Sequence, residues 1–359
     1  MYKKSLKVTP AEIFIFVMQL LYVASSSEIS EYDFYELVII LGYAVAGFMA
    51  AIACTTKKVD LLNIVKFSVI IVLMGITAIS SAGREFVLLV LYLIILKNAT
   101  QDRIVTAFYW ADIIALTLNI ALAIAGVYHI YSVDTNHVTL GFTNSNFLGV
   151  IIFDVVVLMI VRNTRNNLLP YVIALLAGLF CWEYPYCRSA TLSIIIMLLL
   201  AGMRRVFEGK KLFAFGLKYS YMMLAIISIY LGKIGPINSL LAVLDEVLSG
   251  RIIAWNVYFN NKPITLWGAI FYASDFYALD NSFLYILFRY GVIVFVIYGA
   301  LNYLVAKKAI ESKSYNMQIA FLALLCYAMM EFSPMSVFNN IGLALLTTKN
   351  VNKEEREPE

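Results

Sequence analysis

The segment Ser249-Gly250-Arg251 combines three residue types that together could bind an anion. Ser249 is a good helix N-cap, Gly250 allows a ligand to approach the backbone closely, and Arg251 would lie in the first turn of the following helix. The free N–H groups at a helix start favour anions, and a guanidinium adds a planar fork that matches phosphate oxygens. The segment predicts a phosphate or pyrophosphate site. The alternative is that Arg251 is an ordinary loop charge.

Two more arginines, Arg188 and Arg84, each begin an apolar segment and are further candidates for binding the same anion. Arg188 stands between Cys187 and Ser189. The alternative is that its side chain snorkels to the membrane interface from a helix end. Arg84 is the weaker candidate of the two.

Asp280-Asn281-Ser282 leads into another apolar segment and supplies a candidate proton acceptor. Asp280 at a low-dielectric edge, with a moderately raised pKa, could act as a general base. The alternative is that Asp280 or Asn281 caps the following helix, and the two roles are compatible. Further candidates for the base are the substrate itself and Asp275, Glu183, Asp245 and Glu246.

Metal and cofactor chemistry has no support in the sequence. There is no Asp-x-Asp pair, no Cys-x-x-Cys motif and no Cys/His cluster. We therefore expect no metal site and no cofactor. Cys181 and Cys187 bracket a short turn, and they could form a disulfide or stay reduced.

The composition excludes a water-soluble protein. Hydrophobic residues make up 62% of the 359 residues and charged residues only 14%, with a mean hydropathy of +0.83. Soluble domains have roughly 45–50% apolar and about 25% charged residues. At about 20 residues per span, the chain has room for about a dozen membrane crossings. The net charge of +4 is no sign of nucleic-acid binding.

The apolar segments predict an all-α polytopic membrane protein, with one transmembrane domain over 1–359. Lipid offers no partners to backbone groups, so these segments must be helices, and most of the 27 Lys and Arg residues fall in loops on one side. Both termini are therefore predicted to be cytoplasmic. The twelve predicted spans are 11–26, 34–54, 61–80, 84–97, 104–131, 147–161, 169–182, 188–203, 212–231, 282–305, 316–331 and 335–348.

One long extracytoplasmic loop, 232–281, stands out from the short connections elsewhere, and long irregular connections tend to carry function. Within it, 238–248 has leucines and valines at helical spacing and is too short to span. It predicts an amphipathic helix on the membrane surface.

The order of these motifs resembles that of the Wzy-type polysaccharide polymerase and O-antigen ligase superfamily of bacterial membranes. The resemblance covers roughly 140–300. The motifs are Gly141-Phe142 followed by Asn144-Ser145-Asn146-Phe147-Leu148-Gly149, Cys187-Arg188-Ser189, Ser249-Gly250-Arg251 with Trp255, Pro263 to Gly268, Asp280-Asn281-Ser282-Phe283-Leu284 and Tyr290-Gly291-Val292.

The resemblance implies a C-type glycosyltransferase fold and a metal-independent, inverting reaction outside the cytoplasmic membrane. The substrates would be polyprenyl-pyrophosphate-linked oligosaccharides, as donor and acceptor, with a chain-length regulator and a flippase as further partners. Arg188 and Arg251 would hold the pyrophosphate. Asp280 stands where ligases of the superfamily place a histidine before Asn281, which favours a polymerase. Residues in the same motifs that would bind substrate are Asn144, Asn146, Ser249, Trp255 and Asn281. Arg84, which lies outside the motifs, is a further candidate for substrate binding.

The leading hypothesis is a repeat-unit polymerase for exopolysaccharide, capsule or O-antigen. An O-antigen or teichoic-type ligase is the alternative within the same class. A twelve-span transporter or lipid-linked oligosaccharide flippase is the alternative from another class, favoured by the intramembrane residues Asp112, Asp154 and Arg289.

Overall fold

The computed structural model describes residues 8–32, 85–97, 99–132, 135–269 and 279–349, with isolated positions between 37 and 75. These residues form 14 α-helices and no sheet, which confirms the all-α prediction. The helices are α1 (Pro10–Ser25), α2 (Glu85–Ile95), α3 (Gln101–Ile124), α4 (Ser145–Arg162), α5 (Leu169–Glu183), α6 (Arg188–Gly202), α7 (Arg204–Phe207), α8 (Lys211–Ile234), α9 (Ser239–Val247), α10 (Arg251–Asn261), α11 (Ser282–Tyr285), α12 (Gly291–Glu311), α13 (Tyr315–Ala328) and α14 (Ile341–Ala344).

Four of the described helical segments are long and apolar enough to cross a membrane. They are α3, α4, α8 and the run Ser282–Glu311, in which a π-helical turn (Ile286–Tyr290) joins α11 to α12. Four other apolar helices, α1, α5, α6 and α13, are shorter. Most of the predicted spans 34–54 and 61–80 lies outside the described residues. By length and composition, the chain has the character of a multi-pass membrane protein.

The fifth predicted span, 104–131, ends earlier than expected. Helix α3 stops at Ile124, and Gly126 follows with a φ of +75°. A glycine in the left-handed region turns the chain so that the last carbonyls of the helix still find partners, and Val127 N–H donates to the Leu122 carbonyl at 2.9 Å. The sequence remains hydrophobic beyond Ile124, but the glycine ends the helix.

The twelfth predicted span, 335–348, is wrong as a continuous helix. The structure has one 3₁₀ turn, Ser333–Met335, and then only the four-residue α14. Side chains of α12 provide backbone partners here: the Tyr298 hydroxyl donates to the Pro334 carbonyl at 3.1 Å, and the Lys308 ammonium donates to the carbonyls of Leu345 and Thr348. Irregular backbone is tolerated at membrane depth where neighbouring helices satisfy it in this way.

The helix predicted within 238–248 is confirmed as α9. Asn238 caps it by accepting a hydrogen bond from Leu241 N–H at 2.9 Å. Leu240 and Val243 are exposed, and Asp245 is buried against the start of α10. The location of α9 on a membrane surface stays a prediction.

Packing brings several helix ends to one place. Helix α6 packs against α4, α5 and α13, and α10 packs against α8 and α9. As a result, the starts of α6, α10 and α11 lie close to the chain that leaves α13, which is where most of the predicted site residues are found.

Candidate functional site

Helix α10 begins at Arg251, as predicted, but its cap differs from the prediction. Gly250 is the N-cap residue, with a φ of +77°, and Ser249 also has a positive φ of 59° and caps nothing. The free N–H groups of Ile252 and Ile253 donate instead to Asp245 Oδ1, at 2.7 and 3.2 Å. Asp245 therefore fixes the start of α10 and, with it, the position of Arg251.

Arg251 is mostly buried between two carboxylates. Its Nη2 lies 2.7 Å from Glu331 Oε1 and 3.8 Å from Asp280 Oδ2, with 11% of its side chain exposed. Its buried Nε has no hydrogen-bond partner. A guanidinium has five N–H donors in a rigid fork, so Arg251 retains donor capacity for a ligand.

Glu331 is the residue of this site that the sequence analysis missed. It follows α13 by three residues and is 4% exposed. Besides Arg251, Oε1 accepts a hydrogen bond from the Ser189 hydroxyl at 2.7 Å. Its backbone carbonyl accepts from Ser282, from N–H at 3.1 Å and from Oγ at 2.7 Å. The available signal in the sequence is a lone carboxylate at the end of an apolar run, just before Ser333-Pro334.

Arg188 lies at the same end of the molecule as Arg251. It is the first residue of α6, and its Nη1 donates to the Glu246 carbonyl at 3.2 Å, in the segment that leads to Arg251. The next residue, Ser189, binds the same Glu331 oxygen as Arg251 does. The structure therefore brings the two predicted arginines to one site, joined through Ser189 and Glu331.

Asp280 borders this arrangement, and the neighbouring Asn281 is the helix cap. Asn281 Oδ1 accepts from Leu284 N–H at 3.0 Å, and Nδ2 donates to Ser228 Oγ at 3.0 Å and to the Met329 carbonyl at 2.9 Å. Asn281 is fully buried, whereas a quarter of the Asp280 side chain is exposed. Of the two, Asp280 is the one that a ligand could reach.

The two carboxylates have raised pKa values, mainly because burial disfavours their charged forms. Burial raises the pKa of Asp280, and the nearby Arg251 opposes the rise. Burial raises the pKa of Glu331 to about 7, with Arg251 and Ser189 acting to lower it and Asp280 to raise it. A carboxyl with a pKa near neutrality is suited to exchange a proton with a substrate hydroxyl.

The asparagines of the first motif are at the start of α4. Asn144 caps α4 by accepting from Asn146 N–H at 2.8 Å. The Asn146 carbonyl oxygen lies 4.0 Å from the sulfur of Cys187, the residue that precedes Arg188. Cys181 and Cys187 are both free and buried, so the disulfide that the sequence left open is not formed in this structure.

The remaining predicted residues have different placements. Trp255 is fully buried in an apolar cluster with Ile252, Leu284 and Phe288, where it supports α10. Its contact with substrate stays a prediction. Arg84 and Asp275 lie outside the described residues. Among the residues that the structure describes, no group of three or more His, Cys, Asp or Glu side chains is arranged to hold a metal ion.

Comparison of the chain with protein-family models, curated proteins and solved structures finds no match. The geometry of the site itself is therefore the main ground for assigning a function.

Proposed function

We propose that this chain is a membrane-embedded polysaccharide polymerase that joins polyprenyl-pyrophosphate-linked oligosaccharide repeat units at the outer face of the bacterial cytoplasmic membrane. The finer architecture belongs to the same proposal: about twelve spans, a C-type glycosyltransferase fold and cytoplasmic termini. The products would be an exopolysaccharide, a capsule or an O-antigen.

The observation that carries the proposal is the convergence of Arg188 and Arg251 with Asp280 and Glu331 at one end of the helices. Guanidinium groups can neutralise a lipid diphosphate and so make it a good leaving group. Carboxyl groups with raised pKa values can accept a proton from a sugar hydroxyl. An intramembrane enzyme that transfers sugars from a lipid diphosphate needs both kinds of group side by side.

The proposed reaction is a single displacement. The oxygen of an acceptor sugar hydroxyl attacks the anomeric carbon of the donor and forms the new C–O bond. The bond between that carbon and the diphosphate oxygen breaks, and the bonding electrons leave with the polyprenyl diphosphate. Arg188 and Arg251 bind this anion, and one of the two carboxylates accepts the hydroxyl proton.

The direct test is elongation by the purified protein in lipid nanodiscs, supplied with polyprenyl-diphosphate-linked repeat units and a metal chelator. We expect a ladder of products on a gel. Arg188→Lys and Arg251→Lys keep the charge but lose the fork, and each should lower elongation at least about tenfold. Arg205→Lys, at an exposed arginine of α7, is the matched control and should elongate normally.

Several results would contradict the proposal. A wild-type protein that produces no ladder, or fork variants that elongate as well as Arg205→Lys, would remove the polymerase assignment. A single transfer to a separate lipid acceptor, without a ladder, would instead indicate the ligase.

A transporter or flippase is the second candidate, and one observation favours it. Asp112 and Asp154 are buried within α3 and α4, and Asp112 Oδ1 accepts a hydrogen bond from Gln19 Nε2 at 2.7 Å. Buried carboxylates in membrane helices often belong to ion or substrate pathways. Movement of lipid-linked oligosaccharide across vesicles, lost in Asp112→Asn and without chain growth, would support this candidate.

A further inference from the structure

The two oxygens of the Glu331 carboxylate have different surroundings. Oε1 accepts hydrogen bonds from Arg251 Nη2 and from the Ser189 hydroxyl, both at 2.7 Å. Oε2 accepts no hydrogen bond from the described residues. It is also not among the buried polar atoms that have no hydrogen-bond partner, whereas Arg251 Nε is. One oxygen is therefore held in place while the other faces accessible space.

The backbone of Glu331 is held as firmly as its side chain. Ser282 donates to its carbonyl twice, and the Ser282 hydroxyl also reaches the Phe332 carbonyl at 3.0 Å. Glu331 is thus fixed from α6 through Ser189 and from α11 through Ser282. The Arg251 guanidinium is held through one nitrogen, because Nη2 makes both of its ion pairs.

The departing diphosphate would compete with Glu331 for Arg251. It carries more than one negative charge and matches the guanidinium fork better than a single carboxylate oxygen does. Once Arg251 binds the diphosphate, Glu331 shares its counter-charge and has a new anion nearby. Both changes make the carboxylate bind a proton more strongly.

We propose that Glu331 is the proton acceptor of the reaction, and that the negative charge which the diphosphate gains beside Arg251 as it leaves makes Glu331 a stronger base. The inference rests on the proposed function and names the residue that takes the proton. The acceptor hydroxyl gives its proton to Glu331 Oε2 as its oxygen bonds to the anomeric carbon and the diphosphate leaves. Asp280 then acts through its charge, which keeps the proton affinity of Glu331 high.

The charges around Glu331 are consistent with this role. Arg251 faces it from α10 and Asp280 from the segment before α11. Cys187, at the start of α6, and Tyr327, in α13, also lie near Glu331, and both are uncharged near neutral pH because burial raises their pKa values. Burial already raises the pKa of Glu331 to about 7 while Arg251 is its partner. Any loss of that partner raises the pKa further, so the change occurs in the neutral range.

The test is proton uptake on binding of inorganic pyrophosphate, measured by titration calorimetry in buffers with different ionisation enthalpies. Inorganic pyrophosphate stands for the departing diphosphate, and the proton that the protein binds with it stands for the proton of the acceptor hydroxyl. At about pH 8, wild-type protein should take up close to one proton per pyrophosphate, beyond any change in the protonation of pyrophosphate itself. Glu331→Gln should still bind but lose that uptake. Glu311→Gln, at an exposed carboxylate at the end of α12, is the control and should match the wild type.

Equal uptake by Glu331→Gln and wild type would overturn the inference, as would uptake that is lost only in Asp280→Asn. If Glu331→Gln does not fold, Ser189→Ala serves instead. Loss of the hydrogen bond from Ser189 to Glu331 raises the pKa of Glu331 in the free protein. Proton uptake on pyrophosphate binding should therefore move to higher pH. Ser193→Ala removes a buried hydroxyl that has no hydrogen-bond partner, and it should leave the pH dependence of proton uptake unchanged.

The proposed function fails separately from the inference. Wild-type protein that binds no pyrophosphate would overturn both, because no anion would reach Arg251. Wild-type protein that binds pyrophosphate and elongates repeat units, with unchanged proton uptake in Glu331→Gln, would overturn the inference alone.

Discussion

Arg251 and Glu331, which are 80 residues apart in sequence, form an ion pair with 2.7 Å between Nη2 and Oε1. The pair joins the start of α10 to the chain that follows α13. Both side chains are largely buried, so each depends on the other to offset the cost of removing a charge from water. The same pair therefore affects stability as well as the proposed chemistry.

Stability should depend on pH through Glu331. Its pKa is about 7 in the folded protein and 4.5 ordinarily, so the folded state binds more protons between these values. The stabilising contribution is full below about pH 4.5 and is lost as the pH rises through about 7, on the order of 3 kcal/mol in total. Glu331→Gln should remove this slope from melting temperatures recorded between about pH 5 and 8 in detergent.

Glu246→Gln is the reference for that measurement, because its side chain is exposed and it should follow the wild-type slope. The absolute melting temperature of Glu331→Gln also includes the loss of an ion-pair partner for Arg251, so the slope is the informative quantity. A slope equal to that of the wild type would show that Glu331 is not the group that titrates.

The cap of α10 gives a second prediction. Asp245→Ala removes the acceptor for Ile252 and Ile253 N–H, and it should lower the free energy of unfolding by about 1 kcal/mol. Asp245→Asn retains an acceptor oxygen and should recover most of that loss. Chemical denaturation in detergent measures both, with Glu246→Ala as the neutral neighbour. If Asp245→Ala leaves the free energy of unfolding unchanged, the N–H groups of Ile252 and Ile253 have other hydrogen-bond acceptors.

Glycine at position 268 is required by close backbone packing. Gly268 has a φ of +84°, and an added Cβ would lie 2.0 Å from the Arg289 carbonyl oxygen. Ala269 N–H donates to that same oxygen at 3.1 Å, which holds the loop against the π-helical turn. Gly268→Ala should cost at least about 3 kcal/mol, because a clash is added to left-handed strain.

The control for Gly268→Ala is Gly202→Ala at the end of α6, where an added Cβ meets no atom within 4 Å. That variant should be neutral or slightly stabilising, since alanine favours helix. Size-exclusion profiles and melting temperatures compare the two. Equal melting temperatures would indicate that the loop at Gly268 does not pack against the π-helical turn.

The helices that bear the site could be predicted from sequence because their ends are marked locally. Helix α4 was expected at 147–161 and is observed at Ser145–Arg162, between polar residues that stop an apolar run. The start of α10 at Arg251 also agrees with the prediction, although the N-cap residue is Gly250 and not Ser249. Local signals of this kind depend on neighbours within a few residues.

The pairing of Arg251 with Glu331 could not be predicted in this way, because tertiary packing decides which of several carboxylates meets the arginine. The same limit applies to 335–348. That segment is as apolar as a membrane helix, yet Tyr298 and Lys308, on another helix, satisfy its irregular backbone. Hydropathy measures the affinity of a segment for lipid and does not report such partners.

Lys308 should therefore be important for stability. Its ammonium donates to the carbonyls of Leu345 and Thr348, and Lys308→Met would leave these acceptors without a donor, at a cost of about 3 kcal/mol. Lys307→Met is the matched control: Lys307 is exposed and 3.8 Å from Glu311, a pair that contributes less than about 1 kcal/mol. Unfolding in detergent measures both losses. Equal losses would show that the segment after α14 does not depend on Lys308.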